Sequence, residues 1–303
     1  MLRAVVKGAG IVMACVLAIL GILMMSFSGV SALPARIDGT LRVATHNVHY
    51  IILNRAEGAW SVADWERRKD ALDAAFKVMN ADLVAFQEME SFAGRDDSNL
   101  NLTLEWLLSQ NPGYAAAAVG DFREFPSTQP ILFRRDRLEL LDQGWFFFSD
   151  TPDVIYSRTF NGSYPAFASW AEFRDRSNGE VFRVYNVHFE YSSRSNRLLS
   201  AALVRDRMLP FTQAGGTAFL LGDLNAWHGS ATMQRLEAAG VSFAPVEGAT
   251  YHLNRGVNLF GAIDHIGATP GVRLAADPVV LRYRFDGEWP SDHYPVLADY
   301  WMD

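Results

Sequence analysis

The 303-residue chain is half apolar and one-fifth charged, which excludes a disordered protein and supplies enough apolar residues for a sizeable core. With 27 basic against 34 acidic residues the net charge is −7, and leaving out Arg3 and Lys7 takes residues 36–303 to −9; proteins that grip long nucleic acid carry a basic excess, so the balance argues against one. The lone cysteine, Cys15, excludes a disulfide framework and a thiolate metal site.

The first 35 residues stand apart. Arg3 and Lys7 are the only charges before Arg36, and Ile11 to Met25 is almost wholly apolar. A span of ~20 apolar residues can cross a bilayer, and the positive charges before it should stay cytoplasmic. Two fates stay open: a retained transmembrane anchor, which fits the length, and a signal peptide cut at small residues such as Val30-Ser31-Ala32. Either puts residues 36–303 outside the cytoplasm, anchored and facing the periplasm or exterior, or secreted. The apolar stretch before Cys15 is too short for a lipid-attachment signal.

After a linker at 33–40, Leu41–Thr45 reads as a strand ending at His46-Asn47-Val48-His49. Ser61 is an N-cap with Asp64 three residues on. Trp65, Leu72, Phe76 and Met79 recur at helical spacing, and the helix stops near Asn80. Asp82–Phe86 is a short buried strand with Gln87-Glu88 at its end. A helix at about 100–109 and a strand at 114–118 follow. Ile131–Phe133, Leu138–Gln143 and Trp145–Phe148 read as a meander of separate strands, with Phe146-Phe147-Phe148 in the core. Ala168–Arg174 and Glu180–Tyr185 form a hairpin closed by Ser177-Asn178-Gly179. A helix at 196–208 leads to the strand Thr217–Leu221, with Gly222-Asp223-Leu224-Asn225 at its end. Ser230 caps a helix that Gly240 terminates. Strands at 262–266, 279–283 and 296–301 complete the pattern. Asn47-Val48-His49-Tyr50 and Asn186-Val187-His188-Phe189 each lead through a helix and a strand to a polar cluster, which suggests two similar halves packed face to face, each a sheet with helices outside.

Many apolar runs close on Asn47, Glu88, Asn186, His188, Asp223, Asn225, Asp264, Asp292 and His293. Asp and Asn are ordinary turn residues, so any one of these is explained by turn chemistry. Glu88 and His188 are poor turn residues, and the set makes sense if its members meet at one edge of a sandwich. Carboxylate and amide oxygens suit Mg²⁺ or Mn²⁺; the His or Cys spacing of a zinc site is missing. Phosphate-ester hydrolysis needs a cation on the phosphoryl oxygens, a base for water and a donor to the leaving oxygen, and this set can supply them.

The motifs Ala44-Thr45-His46-Asn47, Phe86-Gln87-Glu88, Asn186-Val187-His188, Gly222-Asp223-Leu224-Asn225, Ile263-Asp264-His265-Ile266 and Ser291-Asp292-His293-Tyr294-Pro295, in this order over residues 41–301, resemble the endonuclease/exonuclease/phosphatase superfamily of DNase I-like enzymes. The resemblance implies an α+β, four-layer α/β/β/α sandwich of two packed mixed sheets over residues 36–303, and a phosphodiesterase or phosphomonoesterase. It implies Glu88 as main metal ligand beside Asn47 and Asp292, Asp223 orienting or deprotonating water, Asn225 on a phosphate oxygen, His293 steadied by Asp264, and His188 on the phosphate or leaving group. Asn186, Trp227 and His228 are the expected substrate-side residues, Asn186 chiefly orienting its loop. One departure stands out: relatives often place a Glu where Ser127 stands, in support of the His188 equivalent. His46 and His49 read as packing or solvent-facing loop residues. A small or lipid-linked phosphate ester ranks above nucleic acid as substrate, with a monomer tethered through the N-terminal segment. The alternatives are a secreted or tethered DNase/RNase-type endonuclease and a non-catalytic anchored binding domain.

Overall fold

A computed structural model describes residues 2–29, 33, 35–93, 100–162 and 164–302. In chain order the elements begin with α1 (Leu2–Ser28), β1 (Leu41–Asn47), β2 (Ile51–Ile52), α2 (Val62–Met79), β3 (Leu83–Gln87), β4 (Ser91–Phe92) and α3 (Leu102–Gln110). Next come β5 (Tyr114–Ala117), β6 (Ile131–Arg134), β7 (Leu138–Phe147), β8 (Phe167–Asp175), β9 (Val181–His188), α4 (Arg194–Gln213) and β10 (Thr217–Asp223). Last are α5 (Ala231–Glu237), β11 (Ser242–Phe243), β12 (Asp264–Ala268), β13 (Val272–Leu274), β14 (Val279–Val280) and β15 (Val296–Met302).

Two mixed sheets result. The first runs β13-β15-β1-β3-β6-β5, with β14 also on β15; the second runs β11-β12-β10-β9-β8-β7. Strand residues alternate between faces, and each sheet buries both. Leu41, Val43, Leu83, Ala85, Ile131 and Phe133 of the first sheet meet Phe173, Phe182, Val184, Phe219, Leu221 and Ile266 of the second in a central core. Ala44, Val84, Phe86 and Leu132 turn outward against Trp65, Leu72, Phe76 and Met79 of α2 and Leu107 of α3. On the other side Tyr185, Val187, Ala218 and Leu220 pack under α4 and α5. The four layers α/β/β/α are the expected α+β sandwich.

The two halves are each a parallel crossover: β1 pairs parallel with β3 around α2, and β9 with β10 around α4. Their equivalence is offset from the sequence match, however. β1 ends on Asn47 opposite Gln87, whereas β9 runs two residues past Asn186 to His188, opposite Asp223.

Capping follows the sequence. Ser61 accepts the Asp64 N–H at 3.0 Å, and Asn80 closes α2 in the left-handed region at φ 47°. Three expectations change. The two short strands at 138–148 are one strand, β7, kept continuous by a bulge between Leu140 and Asp142. The strand expected over 279–283 pairs only at Val279–Val280. The helix expected at 196–208 runs from Ser193, its N-cap, to Gln213, passing through Pro210. Phe146 and Phe148 are core residues, as expected.

Within α1, Ile11–Ser28 has a mean hydropathy of 2.5 and is long and apolar enough to cross a membrane. The cleavage site considered at Val30-Ser31-Ala32 lies outside the described residues.

One charged pair locks the base of the first sheet. Arg42 donates from Nε and Nη2 to both Asp299 oxygens, at 2.7 and 2.8 Å, with both residues buried. Asp299→Ala strands a buried guanidinium, so the expected loss of stability is about 3–5 kcal/mol; urea denaturation against the wild type measures it.

Candidate active site

Strand register gathers the polar strand ends. Asp223 on β10 is directly opposite both His188 on β9 and Asp264 on β12. Opposed residues share a face, and this is the face on which Phe219, Leu221, Val184 and Ile266 enter the central core. Asn47 follows the same parity as Leu41 and Val43 on β1. Both sheets therefore point their last inward residues into the mouth between them. Gly222 makes the approach of β10 to β9 possible: it sits at φ 140°, and a Cβ there would lie 1.9 Å from the Val187 carbonyl oxygen. Glu88, just past β3, takes φ 54°, and Asn225 takes φ 45°. Left-handed backbone is uncommon outside glycine and costs energy for a residue such as Glu.

Asp223 is the hub. Its Oδ2 accepts Asn47 Nδ2 at 3.2 Å and lies 3.6 Å from His188 Nε2 and 3.8 Å from His293 Nε2. Its Oδ1 accepts the Asn225 backbone N–H at 2.9 Å. Asn47 Nδ2 also donates to Glu88 Oε1 at 3.0 Å, and Glu88 Oε1 is 3.8 Å from His188 Nε2. On the far side His293 Nδ1 and Asp264 Oδ2 share a hydrogen bond of 2.9 Å. Asp292 lies beside His293 in sequence, and Ser291 Oγ ties this segment to the Asn47 carbonyl at 2.7 Å. Asp292 and Glu88 both act electrostatically on His49 and Tyr251.

The charges follow from burial and company. Burial raises the Asp223 carboxyl and Asp264 pushes it further, to about 6, against the pull of His293 and His188. Burial would strip His293 of its proton, but Asp264, then Asp223 and Asp292, overcome it and lift its pKa to about 10. Burial also disfavours the Asp264 and Asp292 carboxylates, yet His293 holds both below the usual range. Glu90, two residues past Glu88, is pushed up to about 7 by burial and then by Glu88.

Among the described residues no lysine or arginine forms an ion pair with Glu88, Asp223, Asp264 or Asp292; their only ion-pair partners are His188 and His293. Oxygen-rich negative charge with so little fixed compensation fits a hard divalent cation. Among the described residues the His, Cys, Asp and Glu side chains bring one group of ligand atoms within 4.8 Å of one another, on Asp223, Asp264 and His293; Asn47 and Glu88 adjoin it through Asp223.

Of the expected substrate-side residues, Asn186 sits elsewhere. Asn186 is fully buried: its Oδ1 accepts Gln87 Nε2 at 2.7 Å, and its Nδ2 donates to the carbonyls of Phe86 and Gln129 at 2.8 and 3.1 Å. It clasps the two sheets beneath the site and has no atom left for a substrate, because β9 extends past it. Asn225 gives one of its two Nδ2 hydrogens to the Phe189 carbonyl at 2.8 Å. Trp227 is 61% exposed and His228 is exposed, both on the rim. Ser127 turns away to Gly120, with its Oγ 2.9 Å from the Gly120 carbonyl, so carboxylate support for His188 comes from Glu88 and Asp223.

Other residues escaped sequence reasoning. Arg68 lies fully buried on α2 and donates to the carbonyls of Val48, His49 and Pro290 at 2.7–2.9 Å, which fixes the loops carrying Asn47 and Asp292. An arginine on the buried stripe of Trp65 and Leu72 was the available signal. Tyr251 pairs by backbone with His293 and lays its ring 4.9 Å from the imidazole; no sequence pattern marks it. His46 is buried and neutral, its pKa driven to about 3 by burial, as a packing residue should be. His49 is also buried, against Trp60 at 5.5 Å.

Residues 44–293 match the endonuclease/exonuclease/phosphatase family. Among solved structures, a mannosyl-6-phosphatase of Bacteroides thetaiotaomicron superposes with a TM-score of 0.71 at 22% identity, covering 86% of this chain and 99% of that one. A family protein of Bacteroides vulgatus gives 0.70 at 24% identity, covering 87% and 99%. Protein L388 of Acanthamoeba polyphaga mimivirus is 26% identical over 174 residues; the match spans 54% of this chain and 60% of that relative's length. The matched span takes in every strand-end residue from Asn47 to His293, so the chain belongs to the endonuclease/exonuclease/phosphatase family and is a phosphoric ester hydrolase.

Proposed function

We propose that this hydrolase is a divalent-cation-dependent phosphoesterase working outside the cytoplasm on a small or lipid-linked phosphate ester. One observation carries the reading: Asp223 stands between an Asn47–Glu88 pair and an Asp264–His293 pair, within 3.8 Å of both His188 and His293. Glu88, Asp292 and Asn47 would hold Mg²⁺ or Mn²⁺. Asn47 presents Nδ2 to the carboxylates, so ligation requires its Oδ1 to turn inward. When bound, the cation offsets charge on the phosphoryl oxygens.

The chain's own groups divide the remaining work. Asp223, with its pKa raised toward neutrality, takes the proton of the attacking water, as a base poised near working pH should. His293, held protonated by Asp264, donates from Nε2 to a phosphoryl oxygen and stabilises the charge that builds there. His188, on the opposite side of Asp223, is placed to donate to the phosphate or the leaving oxygen. The Asn225 main-chain N–H fixes Asp223 Oδ1. Its side chain, anchored by one Nδ2 hydrogen on the Phe189 carbonyl, has a second with which to hold a phosphate oxygen.

The acidic balance of residues 36–303 supports a compact phosphate ester over long nucleic acid. α1 supports a membrane tether or an export signal. The test is a panel of phosphomonoesters (a sugar phosphate among them), phosphodiesters, phospholipids and plasmid DNA, each with Mg²⁺, with Mn²⁺ and with EDTA. We expect hydrolysis of a small or lipid ester that EDTA abolishes. Preferential nicking of plasmid would put the endonuclease reading first. No turnover of any substrate would leave an anchored binding domain.

A further inference from the structure

The end of the apolar helix is built into the rim of the site. Along α1, residues 11–20 are exposed, but Leu23, Met24, Phe27 and Ser28 are half-buried on one face. The Phe27 carbonyl accepts the Ala249 N–H at 2.8 Å. Asn258 closes on the same turn, its N–H 2.9 Å from Met24 Sδ and its Nδ2 3.2 Å from Ser28 Oγ. Arg282 donates to the Ala249 carbonyl at 3.0 Å and packs against Gly29.

The segment that receives the helix also walls the site. Tyr251, the residue paired with His293, is two residues after Ala249, at most about 7 Å along the chain. Asn258 Oδ1 accepts the hydroxyl of Tyr294, next to His293, at 3.3 Å. The Thr250 carbonyl takes the Tyr294 N–H, and Thr250 Oγ1 takes the N–H of Asp264 at 3.2 Å. The exposed part of the helix, Ile11 to Ile22, rises ~17 Å before the docked turn begins. A bilayer that takes up this exposed part therefore has its surface near the docked turn, beside Ala249 and Asn258. Other loops of the same edge end in residues suited to that layer: Tyr191 (66% exposed) after His188, Trp227 after Asn225, and Leu253 (44%) after Tyr251. Tyr and Trp favour the headgroup region.

We propose that the site opens at the bilayer surface and that its substrate is a phosphate ester borne by a lipid in that surface. The proposal rests on the phosphoesterase reading and on α1 being retained as an anchor. A docked helix end fixes the catalytic residues at headgroup depth, whereas a loose tether would let the domain roam in solution.

The test uses the full chain in phosphatidylcholine vesicles containing a minor share of phosphatidylglycerol. Two substrate pairs share their reacting groups: 4-methylumbelliferyl hexadecyl phosphate against its methyl counterpart, and hexadecyl phosphate against ethyl phosphate. In each pair the first partitions into the bilayer and the second stays in water. The variant carries Leu23→Ala, Met24→Ala and Phe27→Ala, all on the docking face of α1, with a flexible Gly/Ser spacer after Gly29. A second variant carries the spacer alone and keeps the docking face. With the dock broken, turnover of the hexadecyl ester should fall by about tenfold or more, as the effective concentration of site against surface drops. The water-soluble partner should be unaffected, and the spacer alone should change neither. Equal effects on both esters, or a wild type that prefers the soluble one, would overturn the proposal. Failure of the wild type to stay with the vesicles would remove the anchor, and failure to cleave any ester would remove the phosphoesterase; each brings the proposal down by a distinguishable route.

Discussion

Asp223→Asn should lower turnover by roughly 10³-fold or more while leaving the thermal melt nearly unchanged. The amide keeps the size of the carboxylate and can still accept the Asn225 N–H, so the fold loses little. It cannot take a proton, and general-base assistance is typically worth ~10²–10⁴-fold. It also removes the charge that faces His188 and His293. His293→Gln should cost a comparable factor, since a charged donor to the phosphoryl oxygen is lost and one such donor is worth ~10²–10³-fold. The double substitution should be little slower than the worse single one, because the two groups act on one transition state. Steady-state kinetics of the three variants, with circular dichroism as a control on folding, measures this. Near wild-type rates for either single variant would mean that chemistry takes place elsewhere.

Glu88→Gln should shift the cation dependence rather than simply the rate. The carboxylate is held at φ 54° just beyond β3, with Oε1 against Asn47 Nδ2 and His188. Removing its charge leaves one formal negative ligand, Asp292, beside the neutral Asn47. Changes even in groups that only support metal ligands cost ~10–100-fold in affinity, so the Mg²⁺ needed for half-maximal rate should rise by at least about tenfold. In the wild type EDTA should abolish activity and excess Mg²⁺ restore it. A Mg²⁺ titration of the rate and Mn²⁺ binding followed by calorimetry test both statements. An unchanged half-saturating Mg²⁺ in Glu88→Gln would take that residue out of the cation site.

Much of this molecule is legible one residue at a time. The N-cap at Ser61, the stop at Asn80, the hairpin around Asn178-Gly179 and the alternation that faces Phe219 and Leu221 inward are local facts of backbone geometry and burial. The six polar motifs were legible as well, because chemistry demands particular side chains at strand ends.

What stayed hidden depends on where strands stop and what lies across from them. β9 continues two residues past Asn186, so an asparagine that matches Asn47 in the linear motif becomes a buried clasp, and His188 takes the edge position. β7 stays whole because a bulge absorbs its irregular residue, which no local propensity announces. Arg68 and Tyr251 acquire their places only when α2 and the 248–261 segment close over the same loops. By itself the sequence determined the sandwich and the polar groups at its strand ends, since hydrophobic period and side-chain chemistry act at short range. Only the tertiary structure decided which of those groups share the mouth between the sheets, because that is set by strand register across β10 and by contacts between residues a hundred or more positions apart.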